Sequence, residues 1–179
     1  PKRLPLLVVE TPPEIAGAFG VPAELAGVPD GYVNWDTWRD GFSPSRDAPG
    51  RASPMFYTSG TTGRPKGVRV ELKDEPVDAI NSLVQLSAGL FGFNKDTVYL
   101  SPAPLYHAAP LRWSMTVHRL GGTVILMKKF DPEGALAAIQ HYRCNAAQFV
   151  PTHFVRMLKL SDDIRAQYDV TSMKGAIHA

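Results

Sequence analysis

Residues 57–67, YTSGTTGRPKG, carry more potential chemistry than any other part of the chain. Glycines let the backbone approach a ligand closely, and backbone N–H groups turned into such a loop form a nest for phosphate oxygens. Four serine and threonine hydroxyls add hydrogen-bond donors, and Lys66 adds a positive charge. The small and polar loop residues are Thr58, Ser59, Gly60, Thr61, Thr62, Gly63 and Gly67. This pattern predicts a phosphate-binding loop, and the alternative is a surface hairpin made of ordinary turn residues.

The loop is not the nucleotide-binding P-loop with the pattern G-x-x-x-x-G-K-[ST]. Counting from Gly60, the second required glycine falls on Pro65. Gly67 follows Lys66 where serine or threonine is needed. The loop also leads into VRVEL, which predicts a strand rather than a helix. The sequence therefore predicts a phosphate loop of another type.

A second candidate group is His107, in the segment SPAPLYHAAPL of residues 101–111. An imidazole can hydrogen-bond a carboxylate oxygen or stabilise negative charge. The alternative is a structural histidine in a proline-rich turn, bonded to neighbouring backbone. This segment and the phosphate loop each follow a predicted strand. Because open α/β sheets bind ligands at the carboxyl ends of their strands, we expect one pocket to collect both.

These motifs resemble those of the adenylate-forming acyl-CoA synthetases, whose relatives include luciferases and peptide-synthetase adenylation domains. Residues 57–67 resemble the family's signature loop. Residues 101–111 are similar to its second core segment, in which a histidine follows a proline and an aromatic residue. Residues 121–160 resemble the strand–helix–strand–helix stretch that follows, and residues 175–179 resemble the strand entering the adenine-binding loop. The resemblance covers the chain from about residue 53 to its end.

The resemblance implies a two-step reaction of the fatty-acid–CoA ligase type. A carboxylate attacks the α-phosphorus of ATP, pyrophosphate leaves with Mg²⁺, and coenzyme A then takes the acyl group. The implied catalytic residues are Lys66 and His107. The implied nucleotide-binding residues are Thr58, Ser59, Gly60, Thr61, Thr62, Gly63 and Lys66. The implied residues for the acid are Tyr106, His107, Thr152 and His153, and Thr58 is implied near magnesium.

Two alternative functions stay open. One is an adenylation domain that loads a carrier protein. Members that activate amino acids place an aspartate just after the histidine segment, whereas AAPLRW follows His107 here, which disfavours an amino acid. The other alternative is a non-catalytic nucleotide-binding module. The sequence is also compatible with a homodimer.

Composition narrows the class of protein. The chain has 179 residues, with 19 Lys and Arg against 17 Asp and Glu, a balance that does not indicate nucleic acid or an anionic membrane as a partner. Cys144 is its one cysteine, which excludes an internal disulfide and a cysteine-held metal. No apolar run approaches the length of a membrane span, and no signal peptide is evident. These features predict a cytoplasmic enzyme.

Alternating strands and helices predict an α/β fold, with a mostly parallel sheet and crossover helices. The predicted strands of this sheet are residues 54–57, 97–100, 122–127, 146–150 and 175–178. The predicted helices include residues 74–91, 108–120 and 152–160, and Asp131 and Pro132 mark another helix start.

For domain organisation, we expect a Pro/Gly-rich segment with one short strand over residues 1–50. Residues 51–179 are expected to be the central part of the large N-terminal domain, with the family's C-terminal domain absent. The adenine loop, ribose aspartate and distal lysine of the family would all follow residue 179. We therefore expect the chain alone not to complete thioester formation.

Overall fold

A computed structural model of the chain describes residues 4–43, 55–58, 64, 66–69, 71 and 73–178, without the side chains of Phe56 and Thr58. The chain divides into two compact units, Pro1–Pro49 and Gly50–Ala179. No helix within the described ranges is long and apolar enough to cross a membrane.

The first unit contains short elements. They are β1 (Leu7–Val8), α1 (Pro13–Phe19), α2 (Ala23–Ala26), β2 (Val33–Asn34) and α3 (Trp35–Asp40). The strands β1 and β2 pair in parallel, so the unit has two short strands where the sequence predicted one. β2 is only two residues long, which is too short to give an alternating pattern. Asn34 ends β2 and caps α3, because its Oδ1 accepts hydrogen bonds from the Asp36 and Thr37 amides at 2.8 and 3.1 Å.

The second unit begins with an antiparallel hairpin of β3 (Phe56–Thr58) and β4 (Lys66–Val68). Strands therefore flank the proposed phosphate loop, as the sequence predicted. The expectation that the strand before the loop belongs to the parallel sheet is wrong, since β3 and β4 form a two-stranded sheet of their own. Antiparallel strands can be joined by a short loop, whereas parallel strands need a long crossover, and the loop between Thr58 and Lys66 is short.

Four parallel strands form the central sheet of this unit, in the order β6-β5-β7-β8. They are β5 (Val98–Ser101), β6 (Thr123–Leu126), β7 (Ala146–Phe149) and β8 (Gly175–His178). The helices between and around them are α4 (Ser82–Phe91), α5 (Ala108–Arg119), α6 (Pro132–Tyr142), α7 (Pro151–Leu158) and α8 (Asp162–Arg165). The predicted α/β fold with a mostly parallel sheet and crossover helices is confirmed.

Each face of the sheet is covered by helices. On one face, here the Leu100 face, buried Leu100, Ala147 and Phe149 pack with Ala135 and Ile139 of α6. Phe154 and Met157 of α7 also pack there. On the other, here the Tyr99 face, Tyr99 and Ala146 pack with Phe93 and Val117, the latter from α5. Burial raises the pKa of the Tyr99 hydroxyl. Both faces being covered explains the apolar composition of the central strands.

Helix starts follow local capping chemistry. Asp131 precedes α6 and accepts a hydrogen bond from the Gly134 amide at 2.6 Å, and Pro132 is the first helical residue. The predicted helix over residues 74–91 is wrong in its first half, because α4 begins at Ser82. The Asn81 side chain accepts from the Val84 amide at 2.9 Å and caps the helix there. Pro76 lacks an amide hydrogen, which disfavours a helix across that position.

Candidate active site

The sheet has a topological switch point between β5 and β7. The chain leaves β5 over the Tyr99 face through α5 to reach β6 on one side. It then crosses the Leu100 face through α6 to reach β7 on the other side of β5. The loops that follow the neighbouring strands β5 and β7 therefore diverge to opposite faces. Ligands of open α/β sheets bind in the crevice that such a divergence leaves at the carboxyl ends of the strands.

His107 lies at the end of the loop that follows β5. It is the N-cap residue of α5, and its backbone N–H donates to the Pro104 carbonyl at 3.2 Å while its own carbonyl accepts from the Leu111 amide at 3.3 Å. Its side chain is exposed and makes no capping hydrogen bond. A purely structural histidine would be expected to use its ring nitrogens on neighbouring backbone. The imidazole is instead free to meet a ligand.

Tyr106 and Thr152 are open to solvent on the same edge. The Tyr106 side chain is 81% exposed, and its ring centroid lies 4.4 Å from that of His107. Thr152 is an exposed residue in the first turn of α7, directly after β7. Tyr106 thus lies in the loop after β5 and Thr152 in the helix start after β7, on opposite sides of the switch point. Their proposed contacts with the acid stay a prediction.

His153 is buried behind this edge rather than exposed on it. Its ring stacks on Phe130 at a centroid distance of 4.0 Å, and its Nδ1 accepts from the Val150 amide at 3.5 Å. The neutral ring therefore carries its proton on Nε2. Burial, and secondarily the positive charge of Arg156, lower the pKa of His153. His153 is thus a neutral wall residue at neutral pH, and a contact with substrate would use Nε2–H.

Part of the proposed phosphate loop lies outside the residues that the structure describes. Residues 59–63 and the Thr58 side chain lie outside the described parts of the chain, so their proposed roles with nucleotide and magnesium stay predictions. Lys66 is described, and its side chain is exposed at the start of β4. Across the described ranges, no backbone pairing joins the hairpin to the four-stranded sheet. The two motifs therefore do not follow strands of one sheet within these ranges, and their meeting in one pocket stays a prediction.

Two further features bear on ligands. Among the described residues, no group of three or more His, Cys, Asp or Glu side chains could hold a metal ion. A cavity of about 280 Å³ lies near residues that precede β5, β7 and β8, including Thr97, Asn145 and Lys174. That is the amino edge of the sheet, opposite the crevice. We therefore place the candidate site at the carboxyl edge and not in this cavity.

Sequence patterns missed two residues of the carboxyl edge. Phe130 follows β6, and its ring stacks on His153. The Arg156 guanidinium lies 4.9 Å from the centroid of the Phe130 ring. His178 ends β8 and lies 5.9 Å from the ring of Phe154. Both positions are at or just beyond the carboxyl ends of strands, which is the signal that could have found them. Their proximity to α7 depends on strand order, which the sequence does not show.

A family model described as AMP-binding enzyme matches residues 16–178. The match begins within the first unit, where no motif could be named from the sequence. Most of the chain, including every candidate site residue, lies inside the matched region.

Known proteins are similar to parts of the chain. A feruloyl-CoA synthase from Amycolatopsis sp is 38% identical over 101 residues, which are 56% of this chain and 20% of that protein. The chain spans about a fifth of the length of the curated relatives it matches.

Solved structures show the same fold. The ATP bound MatB from Rhodopseudomonas palustris has a TM-score of 0.64 and 26% identity, over 97% of this chain and 35% of that chain. The inhibitor bound N-terminal domain of FACL13 from Mycobacterium tuberculosis has a TM-score of 0.65 and 21% identity, over 96% of this chain and 43% of that chain. The fold is thus that of an N-terminal domain in this group of proteins.

Proposed function

Because the chain belongs to the AMP-binding enzyme family, we propose that the protein activates a carboxylic acid with ATP and transfers the acyl group to coenzyme A. The observation that carries the proposal is the position of His107. Its side chain is exposed, makes no capping hydrogen bond, and follows β5 at the switch point of the sheet. A nucleotide and an acid held in that crevice would meet beside an imidazole.

In the first step, a carboxylate oxygen of the acid forms a bond to the α-phosphorus of ATP, and the bond from that phosphorus to pyrophosphate breaks. Negative charge grows on the departing pyrophosphate, which leaves with the Mg²⁺ that entered with ATP. The Lys66 ammonium is the described group that would stabilise this charge, together with the hydroxyls and amides of the loop. His107 would hold the carboxylate in line with the α-phosphorus.

In the second step, the thiol of coenzyme A loses its proton, its sulfur bonds to the acyl carbon, and AMP leaves. The thioester keeps the acyl group activated without further ATP. The open edge beside Tyr106 and Thr152 would admit the acid, since both side chains are exposed there. His153 would form the wall behind it.

The class of acid is the finer part of the proposal. The family resemblance implies a fatty acid, whereas a similar protein is named a feruloyl-CoA synthase, after an aromatic acid. At the carboxyl edge, the partly buried Phe130 stacks on His153. An apolar wall of this kind suits either an alkyl chain or an aromatic ring.

The test uses the complete protein and measures pyrophosphate exchange with ATP and a panel of acids, namely dodecanoate, hexadecanoate, 4-coumarate and ferulate, followed by thioester formation with coenzyme A. Exchange with at least one acid, and a matching acyl-CoA by mass spectrometry, supports the proposal. Exchange without transfer to coenzyme A, but with transfer to a phosphopantetheinyl carrier protein, would favour the carrier-loading alternative. Nucleotide binding without exchange for any acid would favour a non-catalytic module.

Two further parts of the proposal concern the cell and the assembly. We propose a cytoplasmic location, and fractionation of cells that express the protein tests it. A homodimer is the proposed alternative to a monomer. Light scattering on the purified protein distinguishes the two.

A further inference from the structure

The aromatic ring of Tyr57 lies across the backbone of Gly67 in the β3–β4 hairpin. The two residues are direct partners in the antiparallel register. A Cβ at Gly67 would lie 3.3 Å from Tyr57 Cε1 and 3.6 Å from Tyr57 Cζ, and 3.4 Å from the Met55 sulfur. Carbon atoms in favourable contact are about 3.5–4.0 Å apart. The tyrosine ring therefore occupies space that a side chain at position 67 would need.

The backbone conformation of Gly67 does not itself require glycine. Its φ lies outside the left-handed region, in which glycine is favoured. It belongs to β4, and extended backbone favours β-branched and aromatic residues over glycine. An aromatic ring placed over a glycine of the neighbouring strand is one of the devices that pin strand register. The packing of the Tyr57 ring thus gives a reason for glycine at this position.

This contact stands directly beside Lys66. Lys66 precedes Gly67 in β4, and its register partner Thr58 follows Tyr57 in β3. Side chains of consecutive strand residues point to opposite faces, so the exposed Lys66 side chain leaves the hairpin on the face opposite the Tyr57 ring. The ring supports the strand from one face while the ammonium stays open to a ligand on the other.

The hairpin is small enough for one such contact to matter. Each of its strands has three residues, and no backbone pairing joins it to the four-stranded sheet within the described ranges. Two-stranded hairpins are marginally stable in water, and cross-strand side-chain pairs supply part of their stability. The Tyr57 side chain is 67% exposed and belongs to neither hydrophobic core cluster. Loss of its ring should therefore loosen the hairpin without unfolding the rest of the unit.

We propose that Tyr57 is a positioning residue, whose ring holds the β4 backbone at Gly67 and so sets where the Lys66 ammonium meets the phosphates of ATP. The inference rests on the proposed function for the role of Lys66, but the state of the hairpin can be measured without catalysis. A tyrosine that acts in this way needs its ring and not its hydroxyl. Tyr57→Phe and Tyr57→Ala separate the two.

The first experiment measures hydrogen exchange of the hairpin amides in the complete protein by mass spectrometry. Tyr57→Ala should raise the exchange rate of the peptide that contains residues 66–68 by about threefold to fivefold, the size expected for one cross-strand pair. Tyr57→Phe should exchange as the wild type does. Tyr142→Ala, at an exposed tyrosine that ends α6, is the matched control. Wild-type exchange in Tyr57→Ala would overturn the inference, whatever the protein catalyses.

The second experiment links Tyr57 to Lys66 through pyrophosphate exchange with ATP. Tyr57→Ala should slow the exchange about threefold to fivefold and leave the KM for the acid unchanged, whereas Tyr57→Phe should keep the wild-type rate. Because Tyr57 acts through Lys66, adding Tyr57→Ala to Lys66→Ala should cause no further loss. Equal rates in wild type and Tyr57→Ala, or the full further loss in the double variant, would show that Tyr57 does not position Lys66.

Gly67→Val tests the same contact from the other strand. A valine side chain would displace the Tyr57 ring, so this change should slow pyrophosphate exchange in the wild-type background and have little effect in the Tyr57→Ala background. Equal losses in both backgrounds would mean that position 67 requires glycine for another reason, and the inference would be overturned. Circular dichroism melts check that every variant folds.

Failure of the proposed function would leave the inference open to a direct test. If the wild type exchanges pyrophosphate with no acid, the proposed function fails, and calorimetric titration with ATP decides the role of Tyr57. A dissociation constant for ATP that rises in Tyr57→Ala but not in Tyr57→Phe supports the inference. Equal dissociation constants in wild type and Tyr57→Ala overturn it.

Discussion

Thr58 and Lys66 are backbone partners across the β3–β4 hairpin, so the loop between them begins and ends at the same place. Lys66, near the end of the sequence motif, therefore lies beside Thr58, near its start. A loop closed in this way loses less conformational entropy on binding a ligand than an open segment of the same length. The hairpin is the framework on which the proposed phosphate contacts depend.

Replacing Lys66 with alanine should slow adenylate formation strongly. A positive charge that meets a developing anion in a site protected from water lowers the activation barrier by roughly 2–4 kcal/mol. Pyrophosphate exchange with ATP and the best acid of the panel measures the effect. Lys159→Ala, at an exposed position after α7, is the control and should keep the wild-type rate. An exchange rate in Lys66→Ala equal to that of the control would remove Lys66 from the mechanism.

Replacing His107 with alanine should reduce adenylate formation and leave the fold intact. The side chain is exposed and does not cap α5, so its loss removes no internal hydrogen bond. Single-turnover adenylation and a thermal melt on the same sample separate catalysis from stability. His118→Ala, at the other end of α5, controls for changes to the helix. A large fall in melting temperature, with normal activity per folded molecule, would instead identify a structural histidine.

The stability of the protein should depend on pH through His153. Burial lowers the pKa of His153 below the unfolded value of 6.5, so the unfolded chain binds a proton more readily. The contribution of neutral, buried His153 to the free energy of unfolding is complete above about pH 6.5, and it is lost as the pH falls through the folded pKa. The free energy of unfolding in urea should therefore decrease as the pH is lowered from about pH 7.5 to about pH 5.

His153→Phe tests the origin of this dependence. Phenylalanine can stack on Phe130 but cannot bind a proton, so the variant should show a weaker decrease in unfolding free energy over the same pH range. His118→Gln, which replaces an exposed histidine, should keep the wild-type slope. Equal slopes in wild type and His153→Phe would show that other groups cause the dependence.

Two glycines should respond oppositely to alanine. A Cβ at Gly122 would lie 2.8 Å from the Thr97 carbonyl oxygen and 2.8 Å from Val117 Cγ1, so Gly122→Ala should destabilise the fold by about 1–3 kcal/mol. A Cβ at Gly89, within α4, meets nothing within 4 Å, and Gly89→Ala should stabilise the fold by about 0.5–1 kcal/mol. Chemical denaturation of both variants measures these changes. A neutral Gly122→Ala would mean that the turn into β6 can relax.

Much of the fold could be predicted from local sequence. Mostly apolar runs marked β5, β6, β7 and β8. The inner strands β5 and β7 are buried on both faces, which favours apolar residues, whereas the outer strands β6 and β8 are partly exposed. Asp131 followed by Pro132 marked the start of α6, because capping depends on residues a few positions apart. The start of α4 was predicted wrongly because the spacing of Val77 and Ile80 suited a helix, while Asn81 set the boundary.

The candidate site was determined in part by sequence and in part by tertiary structure. The loop over residues 57–67 and the segment around His107 were evident from residue types and spacing alone, because their chemistry lies within a short stretch of chain. The switch point between β5 and β7 was not evident, because strand order depends on which distant segments pair. The same pairing buries His153 against Phe130 and brings His178 beside Phe154, and these contacts join residues far apart in the sequence.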